Sequence, residues 1–429
     1  MQSTKPQFDP NSPQIKAYLK DVQHQFVREG MMVAFPTCLP GVTMPIPLEE
    51  SRITAIDINS DGHIYGGTSA SSPTGRAHAF ASAFHGLTGI VLDTGTIPDA
   101  QTTVAVCCLE VREPRDEDSD DARKAARAWP GAIAFVNPPA GSSAGGRAIA
   151  VPHIELIQDW IQEWGMEPQS LWDLGECVAG EPIVHAVSLP GGTRVVGLTT
   201  HHLFTLDAAT GKVSVIGELP GRSRIVLAEA AIYGLDDGAK LWRYDVASGK
   251  LQRSAISLPA GDWADGSLVR WARDTSALAA AGAPSATGAA PAAPRHDAAG
   301  SLAIADAAGH LFLFDDRAGK FRLVGQTHLA PVNAMALTPD GRIFGACGTE
   351  IANLFVCDPR SSASSQKVAP PVGLSPADAS ARNLGVAASV LETRRLAYQF
   401  SSALTGPSGE IILSEDDHDG HLWLYFPRI

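Results

Sequence analysis

The chain has 429 residues, 45% of them hydrophobic and 18% charged, and a formal net charge of −13. This is enough apolar material for a large buried core, and the acidic balance argues against the basic footprint of a nucleic-acid binder. No apolar run reaches the roughly 18 residues of a membrane-spanning helix, so no membrane partner is expected.

Taken from the start, Met1–Pro13 is polar and proline-containing, without the basic start and apolar stretch of a secretory signal. A cytoplasmic location is the expectation. The six cysteines form no C-x-x-C pair, and Cys107 and Cys108 sit side by side in the apolar run VAVCC. They read as buried free thiols, which fits the same compartment. Residues 1–50 form an N-terminal arm, within which Met31–Thr37 (MMVAFPT) is a short strand.

From residue 51 to 429 one unit recurs, and repeats of this kind decide the fold before anything else. Its second strand reads DGHIYGG from Asp61, GAIAFVN from Gly131, TRVVGLT from Thr193, AAIYGLD from Ala230, SLAIADA from Ser301, DGRIFGA from Asp340 and GEIILSE from Gly409. Its third strand reads HAFASAF from His78, HLFTLDAATGK from His202, KLWRYDVASGK from Lys240, HLFLFDDRAGK from His310, NLFVCDPRSS from Asn353 and HLWLYFPRI from His421. The Asp-to-Gly endings are turn chemistry: Asp bonds its own following backbone, and Gly takes a positive φ. One such sheet cannot bury both faces, whereas radial packing of several can. The count of second strands predicts an all-β, seven-bladed β-propeller. The last unit ends on its third strand, so Met31–Thr37 is expected to supply the fourth and close the ring.

Three stretches interrupt the pattern. Pro114–Trp129 is acidic then basic and predicts a short exposed helix. His153–Gly165 has apolar residues at helical spacing and predicts a helix against the second blade. Residues 278–300 are an Ala/Pro/Gly low-complexity loop between the first and second strands of the fifth blade.

In such a ring the links between blades and the loops from second to third strand share one face, around a channel mouth. That face is expected to collect Arg52, Arg76, Arg222, Arg224, Arg394 and Arg395, with His201 and His328, while His185 and Tyr398 fall near the starts of inner strands. Guanidinium groups bind carboxylates in planar, bidentate fashion, which points to an anionic small ligand or sugar acid; each Arg could equally tie blades together through Asp and Glu. His78, His202, His310 and His421 occupy one repeated position and read as structural. His185, His201 and His328 are unrepeated, and a departure from a repeat needs a local reason. DDHDGH (Asp416–His421) lacks the spacing of a Ca²⁺ loop. No P-loop, nucleophile elbow, zinc-protease helix or dinucleotide fingerprint is present.

The unit formed by DGHIYGG and HLFTLDAATGK resembles the blades of seven-bladed carbohydrate-active propellers: oligogalacturonate lyases, ulvan lyases and related rhamnose–glucuronate enzymes. The resemblance covers most of Arg52–Ile429 and lies in blade grammar. It implies β-elimination on an anionic, uronate-containing oligosaccharide. Arg76, Arg222, Arg224, Arg394 or Arg395 would hold the carboxylate, with a divalent metal ion as a possible helper. His328, His201 or His185 would be the base and Tyr398 the acid. Two other readings stay open: a glycoside hydrolase using a His or the pair Asp416 and Asp417, and a non-catalytic propeller binding a sugar acid or a protein partner. The sequence leaves the oligomeric state undefined.

Overall fold

The computed structural model describes residues 29–37, 46–60, 62–83, 90–109, 130–153, 171–189, 192–228, 230–236, 240–273, 275, 302–315, 319–359, 381–389, 395–417 and 419–427. Two of the expected insertions, Pro114–Trp129 and 278–300, and all of the third beyond His153 lie outside these residues. Within them the protein is all-β, with two three-residue 3₁₀ turns at Leu48–Glu50 and Gly266–Leu268.

The strands are antiparallel and fall into short meanders. Five sheets have four strands. A sixth has eight, made of two four-stranded runs, Arg52–Thr96 and Thr102–Glu176, joined through the single pair Ser69–Thr102. Each meander pairs its strands in chain order except the last. There Phe400–Thr405, Ile411–Glu415 and His421–Pro427 are followed by Gly30–Pro36, which pairs antiparallel with His421–Pro427 from Gly30–Pro427 to Pro36–His421. The N-terminal strand thus stands where the sequence placed it.

The first strands of successive meanders lie beside one another: Arg52–Ile58, Thr102–Cys108, Ile183–Ser188, Val226–Ala228, Arg270–Arg273, Val332–Leu337 and Phe400–Thr405. Phe400–Thr405 in turn packs beside Arg52–Ile58. Burial falls off outward. Second strands such as Ala231–Asp236 are buried along their whole length, while the fourth strand Lys212–Glu218 has no buried residue and leaves Val215 exposed. Side chains from adjacent meanders interleave; Phe135 of the second meets Phe204 of the third with ring centroids 6.3 Å apart.

The recurrent Gly of the second strand has a packing reason. Gly66, Gly197, Gly234 and Gly345 are paired in register with Phe80, Phe204, Trp242 and Phe355 of the third strand. In each the aromatic ring folds back over its Gly, where a Cβ would fall inside van der Waals contact with ring atoms. The Asp-to-Gly turns behave as read: Asp207 Oδ1 accepts from the amide of Ala209 at 2.9 Å, Asp245 Oδ1 from that of Ser248 at 2.8 Å, and Gly211 and Gly249 both have φ of 68°. Substituting Gly197→Ala should therefore overpack the Phe204 site and destabilise the protein by about 1–3 kcal/mol. Chemical denaturation checks this, and an unchanged midpoint would show that the ring has room to move.

Candidate functional site

The seven first strands enclose a cavity of about 120 Å³. Strand edges and small side chains form most of its wall, but five ionisable residues enter it: Asp57, His185, Arg224, Arg270 and Arg273. Arg224 stands in the link before Val226–Ala228. Its Nη1 donates to the Ser401 carbonyl at 2.7 Å and to Ser402 Oγ at 3.0 Å. Its Nε and Nη2 have no hydrogen-bond partner among the described residues. Arg270 opens its strand. Its Nε donates to the Asn333 carbonyl at 2.8 Å and its Nη1 to the carbonyls of Ser267 and Val269, which leaves Nη2. Arg273 makes no hydrogen bond or ion pair to a described residue.

Little negative charge offsets these cations. Asp57 Oδ2 accepts from the Cys108 amide at 2.8 Å. Asp416 is held by Arg52 at 2.8–2.9 Å and acts electrostatically on Arg224 and Arg270, as Asp265 does on Arg270. Burial raises the Asp416 carboxyl, and the opposing pull of Arg52 and Arg224 does not fully reverse this. Burial also lowers the Arg224 pKa. Arg270 is pushed down to about 10, first by burial and then by the charge of Arg224. Arg224 and Arg270 are therefore desolvated and only partly hydrogen-bonded, and Arg270 is further strained by the charge of Arg224; a bound anion would offset these costs.

His185 lies on the strand Ile183–Ser188 and borders the same cavity. Its ring is partly accessible from the cavity, but it lies deep in the wall and its Nδ1 is closed off without a hydrogen-bond partner. Burial, followed by the charges of Arg224 and Arg273, pushes its pKa down to about 3, against a hydrogen bond to the Ile225 backbone. The imidazole is neutral at physiological pH.

The other residues selected from sequence sit elsewhere. Arg395 is bound to Asp419 Oδ2 at 3.0 Å, Glu415 Oε2 at 3.1 Å and His421 Nδ1 at 2.9 Å. Burial opposes its charge, but Glu415 and Asp419 prevail and raise its pKa. It is a tie within the last sheet and its loop, the structural alternative already weighed for each Arg. His328 Nδ1 lies 3.9 Å from Cys347 Sγ, and neither His328 nor His201 lines the cavity. His201, Arg76 and Arg222 are exposed, as is Tyr398 at 43%. Arg394 lies outside the described residues. Of the eight that are described, the structure brings only His185 and Arg224 to the cavity wall.

The repeated histidines are carboxylate-bound. His78 bridges Glu50 at 2.7 Å and Asp93 at 3.0 Å, His202 meets Glu181 at 2.7 Å, His310 meets Asp306 at 2.8 Å and His421 meets Glu415 at 3.1 Å. Among the described residues no group of three or more His, Cys, Asp or Glu is arranged to hold a metal ion. In DDHDGH, Asp416 and Asp419 are engaged by Arg52 and Arg395, and His418 lies outside the described residues. The five described cysteines are buried free thiols, with Cys177 and Cys347 pushed up by burial to about 12.

Arg270 and Arg273, on the strand Arg270–Arg273, are not among the residues singled out from the sequence. The signal lies in RWAR, which places two arginines on one first strand.

No family model matches the chain, and comparison with curated proteins finds no match. Among solved structures the chain is similar to the extracellular domain of the putative hybrid two-component system BT4673 from B. thetaiotaomicron, with 12% identity and a TM-score of 0.48 over 91% of this chain and 39% of that one. A second structure, described as that domain of a putative one-component system, gives 12% and 0.47 over the same shares. The chain thus spans about two fifths of the length of those structures. Likeness at this level does not bear on the site.

The depressed pKa of His185 has a sign that can be tested. Between about 3 and the ordinary 6.5 the unfolded chain binds this proton and the folded chain does not. The His185 contribution therefore favours folding less and less as pH falls through that window, by about 2 kcal/mol at pH 5 relative to pH 7 or above. Stability from urea unfolding should fall between pH 7 and pH 5, and His185→Phe should remove about that much of the dependence; an identical pH slope in the variant would contradict the assignment.

Proposed function

We propose that the seven meanders form a closed seven-bladed β-propeller whose channel binds a small carboxylate-bearing anion, sugar acids being the class to which the sequence resemblance points. Three observations support the closed ring: the first strands adjoin in cyclic order, all seven contribute to one cavity, and the N-terminal strand completes the last sheet. One observation carries the function. Arg224, Arg270 and Arg273 enter a single small cavity with hydrogen-bond donors unspent on the described residues, and Asp57 is the carboxylate among the described residues of its wall.

A β-elimination reading is second to binding. It is favoured by a neutral imidazole in a cationic pocket. It is weakened because a base whose conjugate acid has a pKa of about 3 is a poor proton acceptor near neutrality. The described residues do not fit a divalent metal, and no step is assigned to one. A reducing, cytoplasmic setting remains part of the proposal, supported by five buried unbridged thiols.

Calorimetric titration with glucuronate should show saturable binding that weakens with added salt. Arg273→Gln should reduce it by about tenfold or more, because hydrogen bonds to charged groups are worth roughly 1.5–3 kcal/mol. No binding of glucuronate or sulfate, or an unaltered affinity in the variant, would sink the reading. Ultraviolet absorbance from an unsaturated product on adding uronate oligosaccharides would instead promote the lyase.

A further inference from the structure

We propose that the channel takes a short dicarboxylate that spans it, with one carboxylate on Arg224 and Arg270 and the other on Arg273. The inference rests on the anion-binding reading and specifies its ligand. Hydrogen bonds between first strands show that these strands run in one direction along the channel. Near their starts, Ser401 Oγ donates to the Ile53 carbonyl and Arg270 Nε to the Asn333 carbonyl, both at 2.8 Å. Near their finishes, the Cys108 amide donates to Asp57 at 2.8 Å and Thr405 Oγ1 to the Leu337 carbonyl at 3.0 Å. Position along a first strand is therefore depth in the channel.

The arginines divide by that depth. Arg224 precedes Val226–Ala228, and its Nη1 reaches Ser401 and Ser402 at the start of Phe400–Thr405. Arg270 opens its strand, and its Nη1 turns back to the Ser267 and Val269 carbonyls. Arg273 closes the same strand, three residues and about 10 Å of extended chain further on. Its charge acts on Cys107 and Cys108, the last two residues of Thr102–Cys108. Asp57 stands at that end as well and its charge weakens the Arg273 seat, but its Oδ2 accepts from the Cys108 amide and no ion pair joins it to Arg273. Between the two ends the wall includes Ala186, Val187, Ala334 and Met335, apolar surface suited to a carbon chain. A compact anion meets one end only, whereas a chain with a carboxylate at each tip meets the donors of both. A cavity of about 120 Å³ suits a diacid of four or five carbons. A monoanion takes the Arg273 seat, where every donor is unspent on the described residues.

Length and charge can be varied separately. Butyrate has the length of succinate with one charge, malonate has both charges on a shorter chain, and sulfate is a compact dianion. Calorimetric titration of the full chain at about pH 8, where every carboxyl group is ionised, should show succinate or glutarate binding about tenfold or more tighter than butyrate, malonate and sulfate. Arg270→Gln, which removes donors from one end alone, should cut the preference for the longer diacid over butyrate by about threefold or more. Malonate or butyrate binding as tightly as both longer diacids in the unaltered protein overturns the proposal, whether or not the variant folds. So does a preference that is unchanged in a folded Arg270→Gln. Failure of sulfate and of every acid to bind removes the anion site itself, which is a different failure.

Discussion

Everything in this fold depends on the pairing of Gly30–Pro36 with His421–Pro427. A four-stranded meander is too small to bury its own faces, so each needs a neighbour on both sides. The last meander reaches that size only by taking a strand from the other end of the chain. Because Phe400–Thr405 then packs against Arg52–Ile58, the same pairing brings the two ends of the repeat together and leaves a narrow space where the first strands meet.

That space explains the chemistry. Inner strands are buried by their neighbours, and charge placed on them is expensive unless it is paired. The protein pairs most of its buried charge: Arg395 with Glu415 and Asp419, and His78 with Glu50 and Asp93. Arg224, Arg270 and Arg273 break that habit. Two of them are anchored by backbone carbonyls, which satisfy donors without neutralising charge, and the third makes no hydrogen bond to a described residue. Asp57 stands in the same wall and Asp416 acts on this cluster from beside it, neither forming an ion pair with it among the described residues, which is why an anion site is proposed there.

Much of the architecture was legible because its cause is local. The second-strand Gly and third-strand aromatic recur together since one packs on the other, so the repeat could be read without knowing the fold. The third strand Arg147–Val151 escaped notice because RAIAV lacks the aromatic ring, and its partner Ala134 needs no such cover. The repeated histidines were separable from the others because four copies of one position each found a carboxylate. The site was less legible. Sorting residues by loop selected Arg395, whose partners Glu415 and Asp419 lie some twenty residues on, and passed over Arg270 and Arg273. Which arginine meets a carboxylate and which meets only carbonyls depends on how neighbouring sheets face one another, and no spacing along the chain encodes that.

The central claim is that Arg224, Arg270 and Arg273 hold an anion in the channel. Crystals soaked in bromide and measured at the bromine edge test it most directly. The account predicts an anomalous peak within hydrogen-bonding reach of these guanidinium groups, lost in Arg273→Gln. Bromide found only on the outer surface, with the channel empty of anomalous signal, would contradict it.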